Sequence, residues 1–128
     1  MKIAVITGAS SGLGREFVLQ LDKIRSDIDC FWLIARRDER LRELASELRH
    51  DAKILPLDLS LPVSITRFCH ELEEASQVSQ FDSIAVESGV RNTLPKFQIA
   101  LFVNCAGFGK IGNYNKISSE DVSGMIDL

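Results

Sequence analysis

Residues 7–14 read Thr7-Gly8-Ala9-Ser10-Ser11-Gly12-Leu13-Gly14, and the segments on either side of this stretch decide the fold. Before it stands Ile3-Ala4-Val5-Ile6, a β-branched apolar run that ends near a glycine and predicts a strand buried on both faces. After it, Leu13, Phe17, Val18 and Leu21 recur at helical offsets and predict an amphipathic helix that ends near Arg25. A glycine-rich turn between a strand and a helix is a natural anion site. Glycine tolerates positive φ and lets a ligand approach the backbone, while the unpaired N–H groups of the first helical turn, with the helix dipole behind them, favour a pyrophosphate. The spacing is Gly-x-x-x-Gly-x-Gly, not Gly-x-Gly-x-x-Gly, and no Gly-Lys-Ser/Thr marks a nucleoside-triphosphatase loop. The alternative use of these glycines is tight strand-to-helix packing alone.

The rhythm of strand and helix continues outward. Phe31 to Ala35 predicts a second buried strand, and after Asp38 as N-cap, Leu41, Leu44, Ala45 and Leu48 fall on one helical face. Lys53 to Leu57 predicts a third strand. Ser60 and Pro62 open a third helix with Ile65, Phe68, Cys69 and Leu72 on its apolar face, where Cys69 is expected in the core. Ile99 to Asn104 predicts a fourth strand, and Ser118 with Glu120 and Asp121 starts a helix bearing Val122, Met125 and Ile126. Between Ser76 and Gln98 no period is sustained, and Gly89, Asn92 and Pro95 intervene. This stretch is expected to extend the third helix and then make a surface excursion, with a short helix or hairpin around Ile84 to Val90. The alternation implies an α/β, Rossmann-like doubly wound parallel sheet, one domain over residues 1–128, with ligands beyond the carboxyl ends of the strands.

Composition narrows the function classes. Of 128 residues, 45% are hydrophobic and 26% charged, and 15 Lys and Arg stand against 18 Asp and Glu for a net charge of −3. Nucleic acids and anionic membranes are held by a basic excess, so neither is an expected partner. Three widely spaced cysteines, at 30, 69 and 105, form no Cys-x-x-Cys pair and suit a reduced compartment. Ile3 to Ile6 is too short for a signal-peptide core, and no apolar run approaches the roughly 20 residues that span a bilayer, so a cytoplasmic protein is expected. His50 and His70 fall on different predicted helices, and no metal site is expected. Ser10 and Ser11 lack the Gly-x-Ser-x-Gly context of a hydrolase nucleophile.

The second strand ends in Ala35-Arg36-Arg37, about 20 residues past the last glycine, where an NAD-binding domain usually places a carboxylate on the ribose 2′-hydroxyl. A guanidinium instead suits a 2′-phosphate through charge-assisted, bidentate hydrogen bonds. NADP(H) is therefore favoured over NAD(H). The competing reading places Arg36 and Arg37 on a solvated helix face, paired with nearby carboxylates.

With these features together, the sequence resembles the short-chain dehydrogenase/reductase family over nearly its whole length except about Ser76 to Gln98. Thr7-Gly8-x-x-x-Gly12-x-Gly14 matches the family's cofactor turn, Asp58-Leu59 its adenine-contacting pair, and Asn104-Cys105-Ala106-Gly107 is similar to its Asn-Asn-Ala-Gly. Cys105 departs from that pattern by removing the second amide. The resemblance implies a cofactor site formed by Gly8, Ser10, Ser11, Gly12, Leu13, Gly14, Arg36, Arg37, Asp58, Leu59, Asn104, Ala106 and Gly107. It also implies an oxidoreductase acting on carbonyl or alcohol substrates, whose serine, tyrosine and lysine follow the fourth strand and its next helix. Here the single tyrosine is Tyr114, in a polar loop, and Ser118 rather than lysine stands four residues on. The last residues, Met125 to Leu128, resemble the segment just before the family's catalytic asparagine. The expectation is thus the NADP(H)-binding portion of such an enzyme, with no catalytic residue and a carbonyl substrate only when completed. A homo-oligomer through the fourth-strand edge or final helix is a further expectation. The alternative is a stand-alone nucleotide-binding or interaction module completed by another polypeptide.

Overall fold

Each apolar run becomes a strand, and the amphipathic segments between them become helices, the first two on one face of the sheet and the third on the other. In the computed structural model, which describes residues 1–81, 97–107 and 116–126, the elements are β1 (Lys2–Thr7), α1 (Gly12–Ile24), β2 (Cys30–Ala35), α2 (Asp38–Glu47), β3 (Asp51–Pro56), α3 (Pro62–Phe81), β4 (Gln98–Asn104) and α4 (Ser119–Ile126). All strand pairs are parallel and the order is β3-β2-β1-β4. Because β1 is enclosed by neighbours and covered on both faces, Ile3 to Ile6 have no solvent exposure. Helix α3 reaches Phe81; the excursion beyond it, with the short helix or hairpin expected around Ile84 to Val90, lies outside the described residues, as do Tyr114 and the last two residues.

Alternation along the strands divides the core. Ala4, Ile6, Phe31 and Leu33 face one side and meet Val18 of α1 and Leu41 and Leu44 of α2. Ile3, Val5, Trp32, Ile34 and Leu55 face the other and meet Phe68, Leu72 and Ala75 of α3. Trp32 is enclosed there by Phe68 and Phe97, with ring centroids 6.4 and 6.1 Å away. Burial of each such aliphatic or aromatic side chain is worth about 1.5–3 kcal/mol, which makes these two layers the main stabilising element.

Helix rotation differs from the periodicity reading at two places. Helix α1 turns Gly14, Val18 and Asp22 inward and leaves Leu13 75% and Phe17 45% exposed. Gly14 sets this rotation, since a Cβ there would strike the Gly8 carbonyl and only glycine lets the helix approach so closely. Helix α3 packs through Ser64, Phe68, Leu72 and Ala75, so Cys69, expected in the core, is exposed. The contact of Phe68 with Trp32 fixes which stripe faces in.

The helix ends follow local chemistry. Pro62 occupies the first position of α3, where its missing N–H costs nothing. Ser118 Oγ accepts the Asp121 N–H at 3.1 Å, so the expected cap of α4 is formed. Asp38 is the first residue of α2, not its cap, and its carboxylate accepts Arg42 Nε at 2.7 Å. The inward Asp22 accepts Nδ1–H of His50 at 2.7 Å and the backbone N–H groups of Arg49 and His50 at 3.1 Å, which ties α1 to the turn before β3. Among the described residues no helix is long and apolar enough to cross a membrane.

Candidate dinucleotide site

The carboxyl ends of all four strands converge on one open cleft of about 300 Å³. Strand β1 contributes Gly8, Ser10, Ser11, Gly12 and Leu13; β2 leads to Arg36 and Arg37; β3 leads to Asp58 and Leu59; β4 leads to Ala106 and Gly107. Eleven of the thirteen site residues expected from sequence therefore line one space, while Gly14 and Asn104 stand behind it. Ile34, Ala35, Leu57 and Cys105 also line the cleft. The first three are strand-end apolar residues with no distinguishing sequence signal, though their position at the carboxyl ends of strands could have suggested them.

The three glycines of the turn have separate tasks. Gly8 has φ +66°, and a Cβ on it would strike the Cys105 carbonyl and come within 2.8 Å of Ala106 N, so this glycine lets β1 and β4 come together. Gly14 gives α1 its close seat on the Gly8 carbonyl. At Gly12, φ is +56° and a Cβ would meet nothing within 4 Å. The backbone there faces open space at the start of α1, where the first N–H groups have no helical partner. Packing explains Gly8 and Gly14, whereas Gly12 offers the bare backbone that an anion needs.

Thr7 joins the two central strands at the cleft floor. Its hydroxyl donates to Asn104 Oδ1 at 2.6 Å and accepts the N–H groups of Cys105 and Ala106, each at 3.0 Å. The turn after β4 is held through its main chain, so the side chain at position 105 takes no part in this network.

The arginines are not used up by helix carboxylates. Arg37 Nη2 donates to Ser11 Oγ at 3.3 Å, leaning across the glycine-rich turn. Arg36 is exposed and has no hydrogen bond or ion pair among the described residues; Asp38 pairs with Arg42 instead. Asp58 Oδ1 accepts Ser60 Oγ–H at 2.7 Å and Ser60 N–H at 3.1 Å. These bonds, with a further contribution from the Arg36 charge, hold its carboxyl below the ordinary aspartate value.

The donor set fits a phosphorylated dinucleotide. The bare backbone at Gly12 could receive a diphosphate, Arg36 and Arg37 a further phosphate, and Asp58 beside Leu59 a base with an exocyclic amine. The remaining titratable candidates lie elsewhere: His50 is bound to Asp22, and His70 lies 3.7 Å from Glu74. Among the described residues no His, Cys, Asp and Glu cluster could hold a metal ion.

Known proteins share the fold and family of this chain. An uncharacterised oxidoreductase of Staphylococcus epidermidis is 36% identical over 64 residues, covering 50% of this chain and 26% of that protein. A very-long-chain 3-oxoacyl-CoA reductase of Yarrowia lipolytica is 39% identical over 61 residues, 48% of this chain and 15% of that protein. Among solved structures, the NADPH-bound carbonyl reductase from chicken fatty liver superposes with a TM-score of 0.72 at 21% identity, over 98% of this chain and 41% of its own. A short-chain dehydrogenase from Sphingobium yanoikuyae in complex with NADPH gives 0.68 at 24% identity, over 99% of this chain and 42% of its own. The chain thus spans less than half the length of these proteins. The short chain dehydrogenase family model matches residues 2–128, and the chain belongs to that family.

Proposed function

We propose that this chain binds NADP(H) and forms the cofactor-holding portion of an oxidoreductase that interconverts carbonyl and alcohol groups. The observation that carries this reading is the Arg36 guanidinium, unpaired among the described residues, lining the same cleft as the open backbone at Gly12. A 2′-phosphate suits that guanidinium, and a diphosphate suits the start of α1. The NADPH-containing relatives support the choice of cofactor. The bound nicotinamide supplies the hydride. The chain's own residues hold and orient it: Ser10 to Leu13 at the diphosphate, Arg36 and Arg37 at the 2′-phosphate, Asp58 and Leu59 at the adenine, and Asn104, Ala106 and Gly107 beside the nicotinamide ribose. Gly8 and Gly14 shape the turn that carries them.

No residue of this chain is assigned the proton transfer to or from the substrate. Its single tyrosine, Tyr114, has Ser118 four residues on, so the Tyr-x-x-x-Lys pair that would lower a tyrosine's pKa does not occur in the sequence. The second reading, a stand-alone nucleotide-binding or interaction module completed by another polypeptide, is favoured by the edge position of β4 among the described strands, where Ile99 is 40% and Phe102 50% exposed. The exposed Val122 of α4 is a further contact point. The three free cysteines fit a cytoplasmic setting.

Calorimetric titration with NADPH, followed by an assay of NADPH oxidation against a carbonyl panel, tests the proposal. Saturable NADPH binding without turnover is expected. Absence of binding would overturn the cofactor assignment, and turnover by the chain alone would overturn the division of labour.

A further inference from the structure

Asp58 owes its geometry to a neighbour outside the cleft. Both Ser60 hydrogen bonds, from Oγ at 2.7 Å and from the backbone N–H at 3.1 Å, fall on Asp58 Oδ1. The Leu61 N–H returns to the Asp58 carbonyl at 3.1 Å, so the link from β3 to α3 is a tight turn tied on both sides of this residue. Asp58 Oδ2 has no partner among the described residues. Arg36 leaves the neighbouring strand, whose end pairs Ala35 with Pro56, and lines the same cleft as Asp58, yet no ion pair joins the two among the described residues. An aspartate free to rotate would be drawn to that unpaired guanidinium. The resulting pair would occupy the cation and withdraw the carboxylate at the same time.

We propose that Ser60 is a positioning residue: by holding Asp58 through Oδ1 it leaves Oδ2 available to the cleft and keeps Asp58 from pairing with Arg36, so that Arg36 stays open for a 2′-phosphate. Ser60 thereby acts on the preference for NADP(H) over NAD(H) without touching either cofactor. This inference rests on the dinucleotide reading of the cleft.

The test is titration of NADPH and NADH into the unmodified chain, Ser60→Ala, Ser60→Thr, Arg36→Ala and the Ser60→Ala/Arg36→Ala double variant. Ser60 is exposed, so loss of its hydroxyl leaves the core intact. Ser60→Ala is expected to weaken NADPH binding about tenfold, the low end for one hydrogen bond to a charged group, and NADH binding by a smaller factor. Ser60→Thr keeps the hydroxyl and is expected to keep both affinities. In the Arg36→Ala background the NADPH-specific part of the Ser60→Ala loss is expected to vanish, a non-additivity that a merely structural role would not produce. Equal losses for the two cofactors, strict additivity with Arg36→Ala, or failure of threonine to preserve binding would overturn the role of Ser60. If the unmodified chain binds neither cofactor, the dinucleotide reading itself fails.

Discussion

The Thr7 hydroxyl donates to Asn104 Oδ1 at 2.6 Å, and this bond joins the ends of β1 and β4 beneath the cleft. The same oxygen accepts the Cys105 and Ala106 N–H groups, so one side chain, 3% exposed, orders the start of the turn after β4. Cys105 in place of an asparagine leaves this arrangement intact because the turn is held by its backbone.

Thr7→Val keeps the shape and removes the hydroxyl. It leaves two part-buried N–H groups and one amide oxygen without their partner, and is expected to cost about 1–3 kcal/mol. Thr7→Ser should recover most of that loss. Urea denaturation of the three chains measures both effects.

Substitution separates the packing glycines from the open one. Gly8→Ala and Gly14→Ala each drive a Cβ into backbone, and a pronounced loss of folded protein is expected by circular dichroism. Gly12→Ala meets no atom but must hold φ near +56°, at a cost of about 1–2 kcal/mol. That variant is expected to fold, with a lower melting temperature and weaker NADPH binding.

This division shows what was readable from sequence. The four strands, the helices between them and the convergence of Gly8 to Leu13, Arg36, Asp58 and Ala106 on one cleft follow from apolar runs separated by short motifs at strand ends. Periodicity could not give the rotation of α1 or α3, because Gly14 and Ser64 carry no hydrophobic signal yet face the sheet, while Leu13 and Ile65 do and face outward. The tasks of Gly8 and Thr7 depend on β4, almost a hundred residues away, as in the bond to Asn104 with a sequence separation of 97. The lodging of Asp22 against Arg49 and His50 is likewise a long-range pairing without a local pattern.

Asp22 makes stability depend on pH. Burial pushes its carboxyl up, but hydrogen bonds from His50 and Arg49 outweigh this, and the net direction is down from 3.8. A carboxyl depressed in the folded state contributes stability that is present above the unfolded value and is lost as pH falls through the folded one. The Asp22 contribution is thus expected to be complete at neutral pH and to fade below about pH 3.9. Asp22→Asn is expected to lose about 1–3 kcal/mol at pH 7 and to show a smaller further loss on acidification. Denaturant melts between pH 7 and pH 3 check the sign.

The β4 edge presents Ile99 and Phe102 on one face, because a register shift against Ile3 and Ala4 places both on the side of Phe68. Unpaired edge strands with apolar side chains recruit other strands, and an added lysine opposes this. The proposed association through this edge is tested by Ile99→Lys, which is expected to leave a smaller share of oligomer than the unmodified chain in sedimentation or light scattering with NADPH binding unchanged, whereas an unmodified chain that sediments as a monomer would contradict it.

The most direct test of the central claim is the ratio of NADPH to NADH affinity in the unmodified chain and in Arg36→Ala, measured by calorimetry under one salt condition. The account predicts preference for NADPH in the unmodified chain and loss of about 10–100-fold in NADPH binding on substitution, with NADH little changed, as removal of charge-assisted hydrogen bonds to a phosphate requires. Equal affinity for both cofactors in the unmodified chain, or an equal loss of both in Arg36→Ala, would contradict it.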